Sequence, residues 1–141
     1  MAHDTTETLG SRDCWTLLAS AEVGRLALII NGRPEIFPVN HVVDHGTVVF
    51  RTAPGTKLAG IRGVTPVAFE VDGLDRDAGL AWSVVLKGRA VRVSGRNQKL
   101  EAATLPIFPW PGTTMNSFVR VEADEVSGRR FPAVGRSPDA D

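Results

Sequence analysis

The sequence predicts a mainly β fold, a small antiparallel barrel of six strands with short helices packed outside it. Three observations predict it. Six β-patterned runs are joined mostly by tight turns, among them Asn31-Gly32 and Asp44-His45-Gly46. Only two or three short stretches carry helical spacing, whereas a doubly wound parallel sheet needs a helix after nearly every strand. At 141 residues and 43% apolar, the chain has material for one domain with a real core.

Residues 1–10 are polar and acidic, carry no apolar signal-peptide segment, and read as a flexible leader to a single domain over 11–131. Ser11 is placed to cap a helix through about Ser20, with Cys14, Leu17 and Leu18 on one face and Trp15 extending it. Val23 to Ile30 is the first strand, and Asn31-Gly32 turns it into a second, about Glu35 to Val43. Pro38 inside the second strand has no N–H for a ladder. It belongs at an edge, at a bulge, or where a ligand replaces ladder bonds. Thr47 to Thr52 is the third strand and Thr56 to Arg62 a short helix.

Pro66 to Asp72 is the fourth strand, followed by a charged loop over Gly73 to Gly79. Trp82 to Ser94 is a long fifth strand. Asn97 to Leu105 is helical in pattern, with Leu100, Ala103 and Thr104 spaced for one face. Three prolines between Leu105 and Gly112 forbid regular structure there. Ser117 to Val126 alternates as a sixth strand. The polar residues 132–141 read as a flexible tail.

Composition narrows function. Lys and Arg number 16 and Asp and Glu number 16, so bulk charge gives no reason to expect nucleic acid. No apolar run approaches a membrane span. The single cysteine allows no internal disulfide or multi-cysteine metal site, and a cytoplasmic location is the simplest expectation. Cys14 on the apolar helix face reads as core rather than nucleophile. His3, His41 and His45 lack metal-ligand spacing, and Asp72, Asp75 and Asp77 read as a solvated turn without a calcium-loop pattern. No Ser/His/Asp arrangement, paired carboxylate or activated thiol stands out, so no catalytic residue is assigned.

The stretch Phe50-Arg51-Thr52-Ala53-Pro54-Gly55-Thr56-Lys57-Leu58 carries the chemistry. A phosphate needs cationic and N–H donors converging on one point. Arg51 at a strand end and Lys57 in a helix's first turn flank a glycine turn, and Thr52 and Thr56 add hydroxyls. The helix start adds unpaired N–H groups. The alternative is a pair of solvated charges. Phe37-Pro38-Val39-Asn40-His41 should run beside Phe50-Arg51-Thr52, offering backbone groups to a planar ring. Trp110, in Phe108-Pro109-Trp110-Pro111-Gly112, is either a plug over the core or a lid on a ring ligand.

These pieces occur in a telling order: a Val-Gly-Arg-Leu-Ala strand, Asn-Gly-x-Pro, Pro-Val-Asn-His, then Val-Val-Phe-Arg-Thr-x-x-Gly-x-Lys. Val-Ala-Phe-Glu-Val-Asp, Trp-Ser-Val-Val-Leu-Lys-Gly-Arg-Ala and Ser-Gly-Arg-Arg-Phe follow. From about Ser11 to Phe131 the chain resembles the pyridoxamine 5′-phosphate oxidase-like flavin-binding split barrels, especially small actinobacterial members. The resemblance implies a six-stranded split β-barrel forming a homodimer, with two FMN sites at the subunit interface. It carries the FMN phosphate onto Arg51, Thr52, Thr56 and Lys57, with Phe50 beside them in the cofactor site, and the isoalloxazine ring onto Pro38, Val39, Asn40 and His41. Trp82-Ser83-Val84 matches a segment that in relatives reaches the neighbouring subunit's flavin, and Trp110 lies in a region close to the flavin or the interface. His41 stands where small relatives often have tyrosine.

The implied function is an FMN-dependent oxidoreductase acting on a small-molecule substrate or electron donor. The substrate-binding residues of the oxidase proper near its C-terminus are not found, so the vitamin B6 reaction is not supported. Two alternatives share the fold. The deazaflavin F420 would need an extended basic groove to which Arg25, Arg62 and Arg89 contribute. A non-enzymatic module would bind flavin, or haem with His41 as its axial ligand.

Overall fold

Two glycine turns set the first registers of the computed structural model, which describes residues 6–53, 55, 59–107 and 117–133. Asn31 and Gly32 both have positive φ (53° and 76°), as do His45 and Gly46 (49° and 73°). Paired positive φ values match the right-handed twist of the flanking strands, so each turn makes a tight hairpin. The first joins β2 (Val23–Ile30) to β3 (Arg33–Asp44), and the second joins β3 to β4 (Thr47–Thr52). The chain enters through β1 (Glu7–Leu9) and α1 (Ser11–Ser20). It continues through β5 (Thr65–Asp75), β6 (Leu80–Arg92), α2 (Arg96–Ala103) and β7 (Ser117–Pro132).

All pairings are antiparallel, in the order β1-β7-β4-β3-β2-β5-β6, and β6 also pairs with β7. That second pairing bends the sheet into a ring of six strands, the expected barrel, with β1 as an addition to β7. Ring closure covers most of the sheet edge that would otherwise invite aggregation.

The barrel interior is filled by Leu26, Val39, Val48, Phe50, Phe69, Val71, Val84, Leu86, Val119 and Val121. Helix α1 presses Cys14 and Leu18 onto this core. A second, smaller cluster of Val49, Ala102, Ile107 and Phe118 lies on the outer side of β4 and β7, under α2.

The structure departs from expectation in five places, one of them the last strand, which runs past Val126 to Pro132. Glu7–Leu9, within the span read as leader, pairs with Gly128 to Arg130 of β7. Ser11 is the first helical residue of α1; Gly10 occupies the cap position, and no side chain caps it. The charged loop expected over 73–79 is shorter: β5 runs on to Asp75 and β6 begins at Leu80, leaving a turn over 76–79, with Trp82 packed over Gly73. A side chain larger than hydrogen at 73 would collide with that indole, so the glycine lets the hairpin continue. In α2 the buried contact is Ala102, while Leu100 is 60% exposed. Phe118 and Ile107 fix the helix's rotation, overriding its weak periodicity.

Candidate functional site

Strand alternation divides the candidate residues into two groups. On β3, Phe37, Val39 and His41 point inward, and Pro38 and Asn40 point outward. On β4, Phe50 and Thr52 point inward, and Val49 and Arg51 point outward. Val39, Phe50, Thr52 and His41 are therefore core side chains, available to a ligand only through their backbone. Pro38, Asn40 and Arg51 present side chains to the outside.

Pro38 does sit at an edge. β3 pairs with β2 along Arg33 to Asn40, but with β4 only from His41 to Asp44. Beyond His41 and Phe50 the two strands part, and Arg51 and Thr52 pair with Phe118 and Ser117 of β7 instead. The His41 amide donates to Glu22 C=O at 3.2 Å, on the β2 side. Alternation then puts the Pro38 ring nitrogen, which has no N–H, on the parted side. The barrel is split there, and the backbone of residues 37–40 lines the split.

Arg51 stands at the mouth of this split. Its guanidinium lies 5.1 Å from the centroid of the Phe118 ring and donates to Ile107 C=O at 3.4 Å. Stacking orients the plane while leaving most N–H groups directed away from the ring. The 3.4 Å bond is long and is readily exchanged for a stronger acceptor. The Thr52 hydroxyl donates to Ala53 C=O at 3.1 Å. Gly55 C=O accepts from Ala59 N–H at 2.9 Å, the i to i−4 spacing of a helical turn. Thr56, Lys57 and Trp110 lie outside the described residues.

His41 has a structural task. Its Nε2 is 2.9 Å from Leu18 C=O, in the last turn of α1, where helix carbonyls lack intrahelical partners. A carbonyl only accepts, so Nε2 carries the proton. The ring meets Phe69 edge-on, centroids 4.8 Å apart. Nδ1 is buried without a partner, and burial pushes the imidazole below its ordinary pKa, with the Leu18 bond opposing. This is a helix-capping core histidine, held away from any ring lying along the outer edge of β3.

Ser83 is remote from Arg51 within the chain. It pairs with Arg129 of β7, whereas Arg51 pairs with Phe118. Those β7 positions are separated by eleven residues (129 − 118), on the order of 30 Å along a strand. The arginines considered for a wider basic groove are engaged. Arg25 bonds Glu70 and Asp72 at 3.1 and 2.9 Å, and Arg89 bonds Glu122 and Asp124 at 3.1 and 3.0 Å. Burial and the neighbouring Asp72 push the Glu70 carboxyl up, against the pull of Arg25. Arg62 Nε donates to Ala59 C=O at 3.3 Å.

Phe118 and the Ile107 carbonyl are site members that sequence reasoning missed. Phe118 was visible as the outward member of an alternating strand, but nothing local pairs it with Arg51. Among the described residues no group of three His, Cys, Asp or Glu is placed to hold a metal. None of their helices is long and apolar enough to cross a membrane.

Comparison with known proteins agrees with the geometry. The family model described as pyridoxamine 5′-phosphate oxidase matches residues 10–130. The chain is 38% identical over 128 residues to an uncharacterized Mycobacterium tuberculosis protein, Rv0080, covering 86% of this chain and 83% of that one. It superposes on the FAD binding protein from Mycobacterium smegmatis with TM-score 0.74 and 36% identity, covering 89% and 97% of the two chains. A Corynebacterium diphtheriae protein of unknown function gives TM-score 0.77 and 42% identity, covering 91% and 99%.

Proposed function

The chain belongs to the pyridoxamine 5′-phosphate oxidase family, and on that premise we propose that it binds a flavin nucleotide, FMN in its simplest form, as an oxidoreductase. The observation that carries this reading is the split between β3 and β4, with an outward arginine at its mouth. A planar ring along residues 37–40 meets backbone donors and acceptors that the parted strand leaves outside the β3–β4 ladder. A phosphate on the same molecule falls to Arg51, with Thr56 and Lys57 completing its cradle. The flavin, when bound, supplies the hydride chemistry.

The residues present fit that group. Arg51 stands over the Phe118 ring at the mouth of the split, a cation where a phosphate would lie, and Asn40 faces outward on the ring strand. The M. smegmatis relative is described as a FAD binding protein. FAD contains the same ring and proximal phosphate, so the cradle serves either nucleotide. Deazaflavin F420 fits less well, because Arg25 and Arg89 are each neutralised by two carboxylates. Haem ligation by His41 has no access, since the ring is 4% exposed and bonded to α1.

We further infer a two-fold homodimer. Ser83 reaches a flavin held by Arg51 only if that flavin belongs to a second copy, because the two lie at opposite ends of β7. Native mass spectrometry of the protein as purified tests both statements. The expected species is twice 15.1 kDa with one flavin nucleotide per chain. A monomer, or a dimer carrying F420, haem or no chromophore after FMN is added, would contradict the reading.

A further inference from the structure

His41 is a buried titratable group that flavin chemistry does not use, and it joins two segments. Its ring Nε2 lies 2.9 Å from Leu18 C=O, and its backbone N–H donates to Glu22 C=O at 3.2 Å. One residue therefore grips both sides of the end of α1. That end has no basic side chain in its last turn, and extended Ala21 terminates it. Ser20 Oγ donates to Leu17 C=O at 2.8 Å, and Leu18 C=O takes its donor from His41. His41 is also the last rung of the β3–β4 ladder. It pairs with Phe50, and beyond it residues 37–40 leave β4 to line the split. The imidazole thus ties a helix end to the hinge of the split.

This pocket accepts one ring proton. A neutral imidazole carries a single N–H, and Leu18 C=O receives it. Nδ1 is buried without a hydrogen-bond partner, in a residue 4% exposed. Protonation makes both nitrogens donors, and the second proton would face the core with no acceptor. The elements packed around the ring offer none. β5 presents the Phe69 ring edge-on, and the adjacent Glu70 carboxylate is turned outward to Arg25. On α1, Cys14 lies one turn before Leu18, but its Sγ faces Leu9 C=O and Gly128. Glu22 has an exposed side chain and meets His41 through its carbonyl. β4 supplies Phe50. A second proton is therefore accommodated only when the ring leaves its pocket.

We propose that His41 is a proton-operated latch: neutral, it locks the end of α1 to the point where β3 leaves β4, and protonated, it releases both while the rest of the barrel stays folded. The exit that costs least breaks the two bonds to residues 18–22 and leaves the β4–β7 and β6–β7 ladders intact. In the open form the ring titrates near its ordinary value of about 6.5, so opening gains population about tenfold between pH 7.5 and pH 5.5. Release at His41 loosens residues 37–40, the strand that a planar ring would follow. That last consequence rests on the flavin reading; the latch itself does not.

The test is amide hydrogen exchange of the full chain by NMR at pH 7.5 and pH 5.5, corrected for intrinsic rates, on wild type and His41→Gln. Glutamine keeps a donor for Leu18 C=O and does not titrate. In wild type, protection at Leu18 to Ser20 and at His41 should fall about tenfold at the lower pH, while Val48 to Phe50 and Val119 to Val121 hold theirs. In His41→Gln the fall should vanish. A loss spread evenly over the barrel, no loss at α1, or a loss that persists in His41→Gln (which retains His45 and Glu70) would overturn the latch. The wild-type data decide without the variant, because the opening must follow the titration of the His41 ring, read from its own ¹⁵N shifts. Riboflavin, which has no phosphate to titrate, probes the ring strand. Its affinity should weaken about tenfold at pH 5.5 in wild type and stay level in His41→Gln. Equal wild-type affinity at both pH values would overturn the link to the split. Absence of riboflavin binding at either pH would count against the flavin reading, and the exchange pattern would still decide the latch.

Discussion

His41 shows what a single residue's placement decides. A buried imidazole with one unpartnered nitrogen resists protonation. In the unfolded chain the same group titrates near its ordinary value of about 6.5. As pH falls below that value, the unfolded state takes up a proton that the folded state refuses, and stability is lost. The melting temperature should therefore fall between pH 7 and pH 5, and His41→Phe should flatten that dependence. At neutral pH the same variant should cost about 1 kcal/mol, because Leu18 C=O loses its donor. Parallel pH curves for the two proteins would rule out this role. Part of this was legible in the sequence: Phe37, Val39, His41 and Val43 share one strand parity, which puts His41 with the core. The end of α1 beside that ring was not legible, because it depends on a helix packed from 23 residues earlier.

At the scale of elements, glycines mark where the strands are forced together. Between β6 and β7 the register shifts at Lys87 and Gly88, so that Asp124 is an extra residue on β7. A Cβ on Gly88 would overlap the Glu122 backbone carbonyl, a group that cannot move without breaking the ladder. Gly88→Ala should destabilise the fold by about 3 kcal/mol and lower its Tm by roughly 10 °C, read by thermal denaturation. An unchanged Tm would mean that the bulge is soft. Strand cores and both hairpin turns were readable, because alternation and Asn-Gly or His-Gly turns are local signals. Strand ends were not. The β5–β6 hairpin runs through a charged, glycine-containing segment, since Trp82 on one strand covers Gly73 on the other. That pairing is invisible to either strand alone.

For the whole molecule, ring closure assembles the site. β4 and β7 are separated by more than 60 residues, yet their pairing sets Phe118 beside Arg51. The parting of β3 from β4 opens the split that Arg51 guards. The cation, the proline strand and the glycine turn were legible as parts; their convergence needed the long-range register. The same register puts Ser83 at the far end of β7, which is why the proposed flavin site is read as shared between two copies. The central claim is that the Arg51 cradle anchors a flavin phosphate. Its most direct test is a fluorescence-quenching titration of FMN and phosphate-free riboflavin against wild type and Arg51→Ala/Lys57→Ala. FMN should bind about 100-fold or more weakly to the double variant, while riboflavin binds both proteins alike. Equal FMN affinity in the two proteins would contradict the account.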